Sequence, residues 1–164
     1  MRLVRRVLST ALVLSACVGC DQVTKSIARQ SLPKSEVISL LNDMFRLQYT
    51  ENPGAFLSLG ANLQGDLRYW FFTISLGLFL AGILVFLITT KQTSRALIIG
   101  LSLILGGGVG NLIDRIGNEG RVIDFMNLGI GSLRTGVFNV ADIAISIGAV
   151  WLLVHSFNQP EKAS

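Results

Sequence analysis

Histidine occurs once in the 164 residues, at His155, cysteine twice, at Cys17 and Cys20, and charged side chains make up only 15% of the chain. Each scarcity excludes something. One histidine far from both cysteines cannot complete a zinc site. The Cys17-x-x-Cys20 spacing lies in an apolar segment, without the polar βαβ setting of a redox motif, so the thiols read as small apolar helix residues. Ordinary soluble domains carry about 25% charged residues, and the shortage here points to a membrane protein. The net charge of +4 does not reverse this: the basic residues stand singly or in pairs, with no basic face and no interleaved aromatics. That excludes nucleic acid as a partner and fits Lys and Arg flanking membrane spans.

Apolar residues are what the chain has in abundance: 51% of it, with a mean hydropathy of +0.59. A spanning helix needs about 20 apolar residues. The length therefore predicts four spans, at about 4–22, 69–90, 96–114 and 137–157, in a single integral membrane domain covering 1–164. The segments 23–68 and 115–136 then lie on the outer side. Arg2, Arg5, Arg6, Lys91, Arg95 and Lys162 flank the inner ends, so both termini are expected in the cytoplasm. The first segment has a second reading. Three arginines, a short apolar run and Leu14-Ser15-Ala16-Cys17 look like a signal peptide ending in a lipoprotein lipobox.

The polar residues collect near the outer ends of the spans. Asp21 and Lys25 stand i,i+4 at the expected end of the first helix and can pair. Glu36–Leu40 and Phe45–Thr50 alternate like short strands, which predicts a small surface sheet. Asn52-Pro53-Gly54 reads either as a tight turn or as an amide aimed at a bound peptide. In the third span Gly106 and Gly110 are spaced for close helix approach. Asn111 and Asp114 follow on one face, with Arg115 expected to neutralise Asp114. Arg121–Phe125 is expected to be extended, and it carries Asp124. Asn139 and Asp142 share a face of the fourth span, which puts Asp142 roughly 6–9 Å below its start.

A carboxylate at membrane depth is costly, and such an acid is a functional-site candidate by default. No basic residue of the fourth span can neutralise Asp142. A second carboxyl sharing a proton would stabilise it, and Asp124 is the candidate.

Five blocks in order carry a resemblance: Asp21-Gln22-Val23-Thr24-Lys25, Asn52-Pro53-Gly54-Ala55-Phe56, Gly107 to Arg115, Val122-Ile123-Asp124-Phe125, and Phe138-Asn139-Val140-Ala141-Asp142. The chain resembles the lipoprotein signal peptidases, bacterial signal peptidase II, over nearly its whole length. It departs in the second block, where one alanine precedes Phe56 and the family often has two. The resemblance implies an all-α membrane protein with four transmembrane helices, a small periplasmic β-sheet platform and a short periplasmic helix. It implies an aspartic endopeptidase of the bacterial inner membrane, needing no cofactor or metal, with Asp124 and Asp142 as catalytic residues. The substrate implied is a prolipoprotein already carrying diacylglycerol, cut just before the lipidated cysteine, with membrane lipid as a further partner and globomycin-type cyclic peptides as inhibitors. Asn52, Gly54, Asn111, Asp114, Arg115, Asn139, Ala141, Asp21 and Lys25 become supporting or substrate-binding candidates.

Three other readings compete. A transporter predicts acids deep in several spans, whereas here they gather at one end. A secreted lipoprotein, read from Leu14–Cys17, leaves three further spans unexplained. A serine–lysine peptidase needs a lysine in the outer half of a span, and none of the expected spans has one.

Overall fold

On the first helix of this protein charged side chains face inward and many apolar ones outward. In the computed structural model, which describes residues 3–54, 65–90 and 94–157, Asp21 is 0% exposed and Lys25 2%, while Leu12 on the same helix is 73% exposed. Such inversion is stable where the surroundings are as apolar as leucine and water is absent.

Four helices, α1 (Leu3–Ser31), α2 (Gly65–Thr89), α3 (Arg95–Gly117) and α4 (Val140–Phe157), are each long and apolar enough to cross a membrane. Helix α1 runs nine residues past the end expected from hydropathy. Apolarity stops near Cys20, but no glycine or proline interrupts the chain until Pro33, so the helix continues and Asp21 lies in its interior. The lipobox-like Leu14–Cys17 is therefore part of an unbroken helix.

Helix α3 sits at the centre and packs on the other three. Its glycines are the reason: a Cβ on Gly106 would lie 2.8 Å from Cys17 Cβ of α1, on Gly107 2.4 Å from the Ala141 carbonyl oxygen of α4, and on Gly108 2.4 Å from Leu80 of α2. Three consecutive residues point about 100° apart on a helix, so each admits a different neighbour. An apolar cluster of Leu80, Ile83, Leu87, Ile98 and Leu105 joins α2 to α3. Towards the end of the bundle opposite the acids, Arg6 donates to the carbonyls of Ile88 and Thr90, which closes the last turn of α2.

At the end of the bundle that holds the acids lies an antiparallel sheet in the order β1 (Ile38–Leu40), β2 (Phe45–Asn52), β3 (Val122–Ile130), β4 (Leu133–Arg134). Strand β3 is longer than the expected Arg121–Phe125, because its far half pairs with β2 through Phe45↔Leu128 and Leu47↔Met126. The β1–β2 turn holds Leu41, Asn42 and Asp43 at positive φ, and Arg46 and Ser39 fasten it by donating to the Asp43 carboxylate. No short separate helix occurs among the described residues, and Ala55 and Phe56 of the second sequence block lie outside them.

Candidate active site

Two backbone junctions bring the acids together. Strand β2 carries Thr50 opposite Asp124, next to an irregularity in register that leaves Asn52 beside the acid. Met126 and Phe138 form a bridge, with Phe138 donating to the Met126 carbonyl and Phe125 and Met126 donating to that of Phe138. The residue after Phe138 is Asn139, which is thereby set against β3 at the start of α4.

Asn139 is the N-cap of α4 and makes a capping box with Asp142. Its Oδ1 accepts from the Asp142 backbone N–H at 3.0 Å, and Asp142 Oδ2 accepts from the Asn139 N–H at 3.1 Å. Asp142 is thus in the first turn of α4, not a turn or more below it, because the helix begins at Val140 rather than 137. Asn139 Nδ2 donates to Asp124 Oδ1 at 2.7 Å. One fully buried asparagine therefore holds both carboxyls.

Two more asparagines complete the shell. Asn52 Nδ2 donates to Asp124 Oδ2 at 3.0 Å, and its Oδ1 accepts from the Gly54 N–H at 3.0 Å. Asn111 Nδ2 donates to Asp142 Oδ1 at 3.0 Å, and its Oδ1 accepts from Asn139 Nδ2 at 3.1 Å. Asp124 is 3% exposed, and this burial raises its carboxyl to about 6. The Asn52 hydrogen bond opposes the rise and the neighbouring Asp142 charge adds to it. Asp142 is only partly buried, so the pair opens to its surroundings on that side.

Behind the pair lies a second polar cluster. Lys25 Nζ is 2.7 Å from Asp21 Oδ2 and 2.9 Å from Asp114 Oδ2. Asp21 Oδ1 accepts from the Ala141 N–H at 2.9 Å, and Asp114 Oδ2 from the Ile123 N–H at 2.9 Å, so the cluster ties α1 and α3 to both acid-bearing segments. Lys25, expected as the partner of Asp21, does stand there. Arg115, expected to neutralise Asp114, does not: its guanidinium donates to the Gly120 and Gly54 carbonyls and lies over the Phe72 ring. Residues 114 and 115 diverge by about 100° on the helix, which sends Asp114 to α1 and Arg115 to the loops. The premise that no lysine lies in the outer half of a span also fails, since α1 carries Lys25. Its partners at the site are two carboxylates and an amide, and none is a serine hydroxyl.

Sequence reasoning passed over Gln22. Its amide nitrogen, Nε2, donates to Asp21, to the Gly110 carbonyl and to Asp114 Oδ1, stitching α1 to α3. A glutamine one residue from an intramembrane acid was the available signal. Among the described residues, no group of three or more His, Cys, Asp or Glu is arranged to hold a metal ion.

Signal peptidase (SPase) II, as a family model, matches residues 13–158. The chain belongs to the signal peptidase II family. It is 36% identical over 151 residues to the lipoprotein signal peptidase of Desulforapulum autotrophicum, covering 92% of this chain and 93% of that one. It is 40% identical over 145 residues to that of Chlorobium phaeobacteroides, covering 82% and 86%. Among solved structures it is similar to a bacterial membrane enzyme determined by the in meso method, with a TM-score of 0.80 and 26% identity over 93% of this chain and 94% of that one. Signal peptidase II membership makes the chain a protease, and the four helices make it a multi-pass protein of the inner membrane.

Proposed function

We propose that this protease is an aspartic endopeptidase that removes the signal peptide from diacylglyceryl-modified prolipoproteins, cutting just before the lipidated cysteine. Family membership supports the substrate class. One observation carries the chemistry: Asn139 reaches Asp124 with its amide and Asp142 with its backbone N–H.

Two carboxyls held this way cannot both ionise cheaply, so they share a proton. The ionised member takes a proton from water, whose oxygen attacks the scissile carbonyl carbon. The protonated member hydrogen-bonds the carbonyl oxygen. As the C–N bond breaks, a proton passes to the leaving amine. Asn52, Asn111 and Asn139 hold the acids, Gly54 and Ala141 contribute backbone N–H groups to that scaffold, and Arg115 fastens the Gly54 carbonyl. Asp21, Asp114 and Lys25 support it from behind.

The protein works as one membrane domain, with both termini in the cytoplasm and the acids at the outer face. Acyl chains of the substrate stay in the bilayer, and each buried CH₂ adds about 0.8 kcal/mol to retention. Globomycin-type cyclic peptides occupy the same site and block cleavage.

Asp124→Asn and Asp142→Asn are each expected to abolish cleavage while the protein still accumulates in membranes. An asparagine at position 142 keeps an acceptor for the Asn139 N–H of the capping box and gives up the one that Asn111 Nδ2 uses. The readout is the gel shift of a lipidated prolipoprotein; normal processing by either variant defeats the proposal.

A further inference from the structure

Every amide that faces the two acids has its oxygen held by a donor, and that decides where its nitrogen points. For Asn52 and Asn139 the donor is a backbone N–H, of Gly54 and Asp142, each at 3.0 Å. For Asn111 it is a side chain from another helix: Lys25 Nζ, at 3.0 Å. An ammonium has three donors and no acceptor, so only the oxygen of Asn111 can face it.

We propose that Lys25 is a positioning residue of the reaction: its ammonium sets the orientation of the Asn111 amide, and Asn111 thereby presents Nδ2 to Asp142. The inference rests on the aspartate-pair reading above. All three ammonium hydrogens have partners, Asp21 at 2.7 Å, Asp114 at 2.9 Å and Asn111. An ion pair serving stability alone would need only the two acids. The third bond goes to the residue that touches Asp142.

The other neighbours do not hold Asn111 this way. Asn139 Nδ2 also reaches Asn111 Oδ1, but it has a shorter bond to Asp124 at 2.7 Å and another contact to the Ile123 carbonyl at 3.3 Å. Without the ammonium, Asp21 and Asp114 would attract the amide nitrogen. Asn111 would turn over, and its oxygen would oppose the lone pairs of Asp142.

A double-mutant cycle tests this, with kcat and KM measured on a diacylglyceryl-modified prolipoprotein. Lys25→Met is expected to lower kcat by about tenfold or more, with KM within about twofold. Asn111→Ala is expected to lose a similar amount. The double variant should be no slower than Asn111→Ala alone, within about twofold, because Lys25 acts through the amide that is already gone. Losses that multiply, or a Lys25→Met enzyme with unchanged kcat, overturn the inference. If Lys25→Met does not accumulate in membranes, the cycle is run in Asp114→Asn, which removes one of the two acids left facing each other. Asp124→Asn and Asp142→Asn in the same assay separate the two readings. If they still cleave, the aspartate pair falls and this inference with it; if they are inactive while the losses multiply, Lys25 alone is misassigned.

Discussion

Asp124 shows how one buried side chain sets a pH dependence. Burial, opposed by Asn52 and reinforced by Asp142, raises its carboxyl to about 6. The folded chain then binds this proton more tightly than the unfolded chain does. The resulting stability is fully present below the ordinary carboxylate range and is lost as the pH rises through about 6. Asp124→Asn removes that titration. Its stability relative to the parent is therefore expected to improve by about 2 kcal/mol between pH 4 and pH 7. Thermal unfolding in detergent at both pH values measures the change, and a constant offset between the two proteins would contradict it. Under the proposed mechanism, that costly burial keeps a proton available for chemistry.

Among the elements, α3 makes the closest approaches. Its glycine run lets three helices touch one backbone, and Gly107 sets the distance to the first turn of α4. In Gly107→Ala the new methyl would lie 2.4 Å from the Ala141 carbonyl oxygen, a backbone atom that cannot rotate away. Helix α4 has to shift, and Asp142 shifts with it. The expected cost is about 1–3 kcal/mol of stability. If Asp142 acts as proposed, the expected loss of cleavage is larger, on the order of 100-fold, because a displacement near 1 Å at a catalytic group costs that much. Detergent-solubilised unfolding and kcat on the same sample separate the two effects. Wild-type kcat would mean that the α3–α4 spacing does not position the acid.

For the whole molecule, inversion is the organising fact. Many leucines, valines and phenylalanines of α1, α2 and α4 face outward, and Asp21 and Lys25 of α1 face Asp114 of α3. Within such a structure the buried acids and amides gather at one end of the bundle, by the sheet, and Arg5 and Arg6 of α1 lie at the other. The proposed orientation follows from that asymmetry. With Cys17 and Cys20 replaced, a membrane-impermeant maleimide should label Asn42→Cys in intact cells, since residue 42 is exposed on the β1–β2 turn. A fluorescent protein fused to the C-terminus should remain bright, as expected in the cytoplasm. Protection of the introduced thiol from the reagent would reverse the orientation.

Hydropathy and helical spacing, both local properties, determined that the chain has four apolar helices, that its acids cluster with asparagines, and that Gly106–Gly110 is a contact surface. Five motifs in order carried the resemblance to the signal peptidase II family. Which groups pair was decided only by tertiary structure. Asp114 meets Lys25 rather than its neighbour Arg115, and Asp21 caps Ala141, 120 residues away, because packing of α1, α3 and α4 brings them within reach. The start of α4 at Val140, and so the depth of Asp142, follows from a bridge between Phe138 and a strand that pairing with β2 had lengthened. Spacing along a chain sets which side chains share a face; it holds no information about which face of another element will arrive opposite.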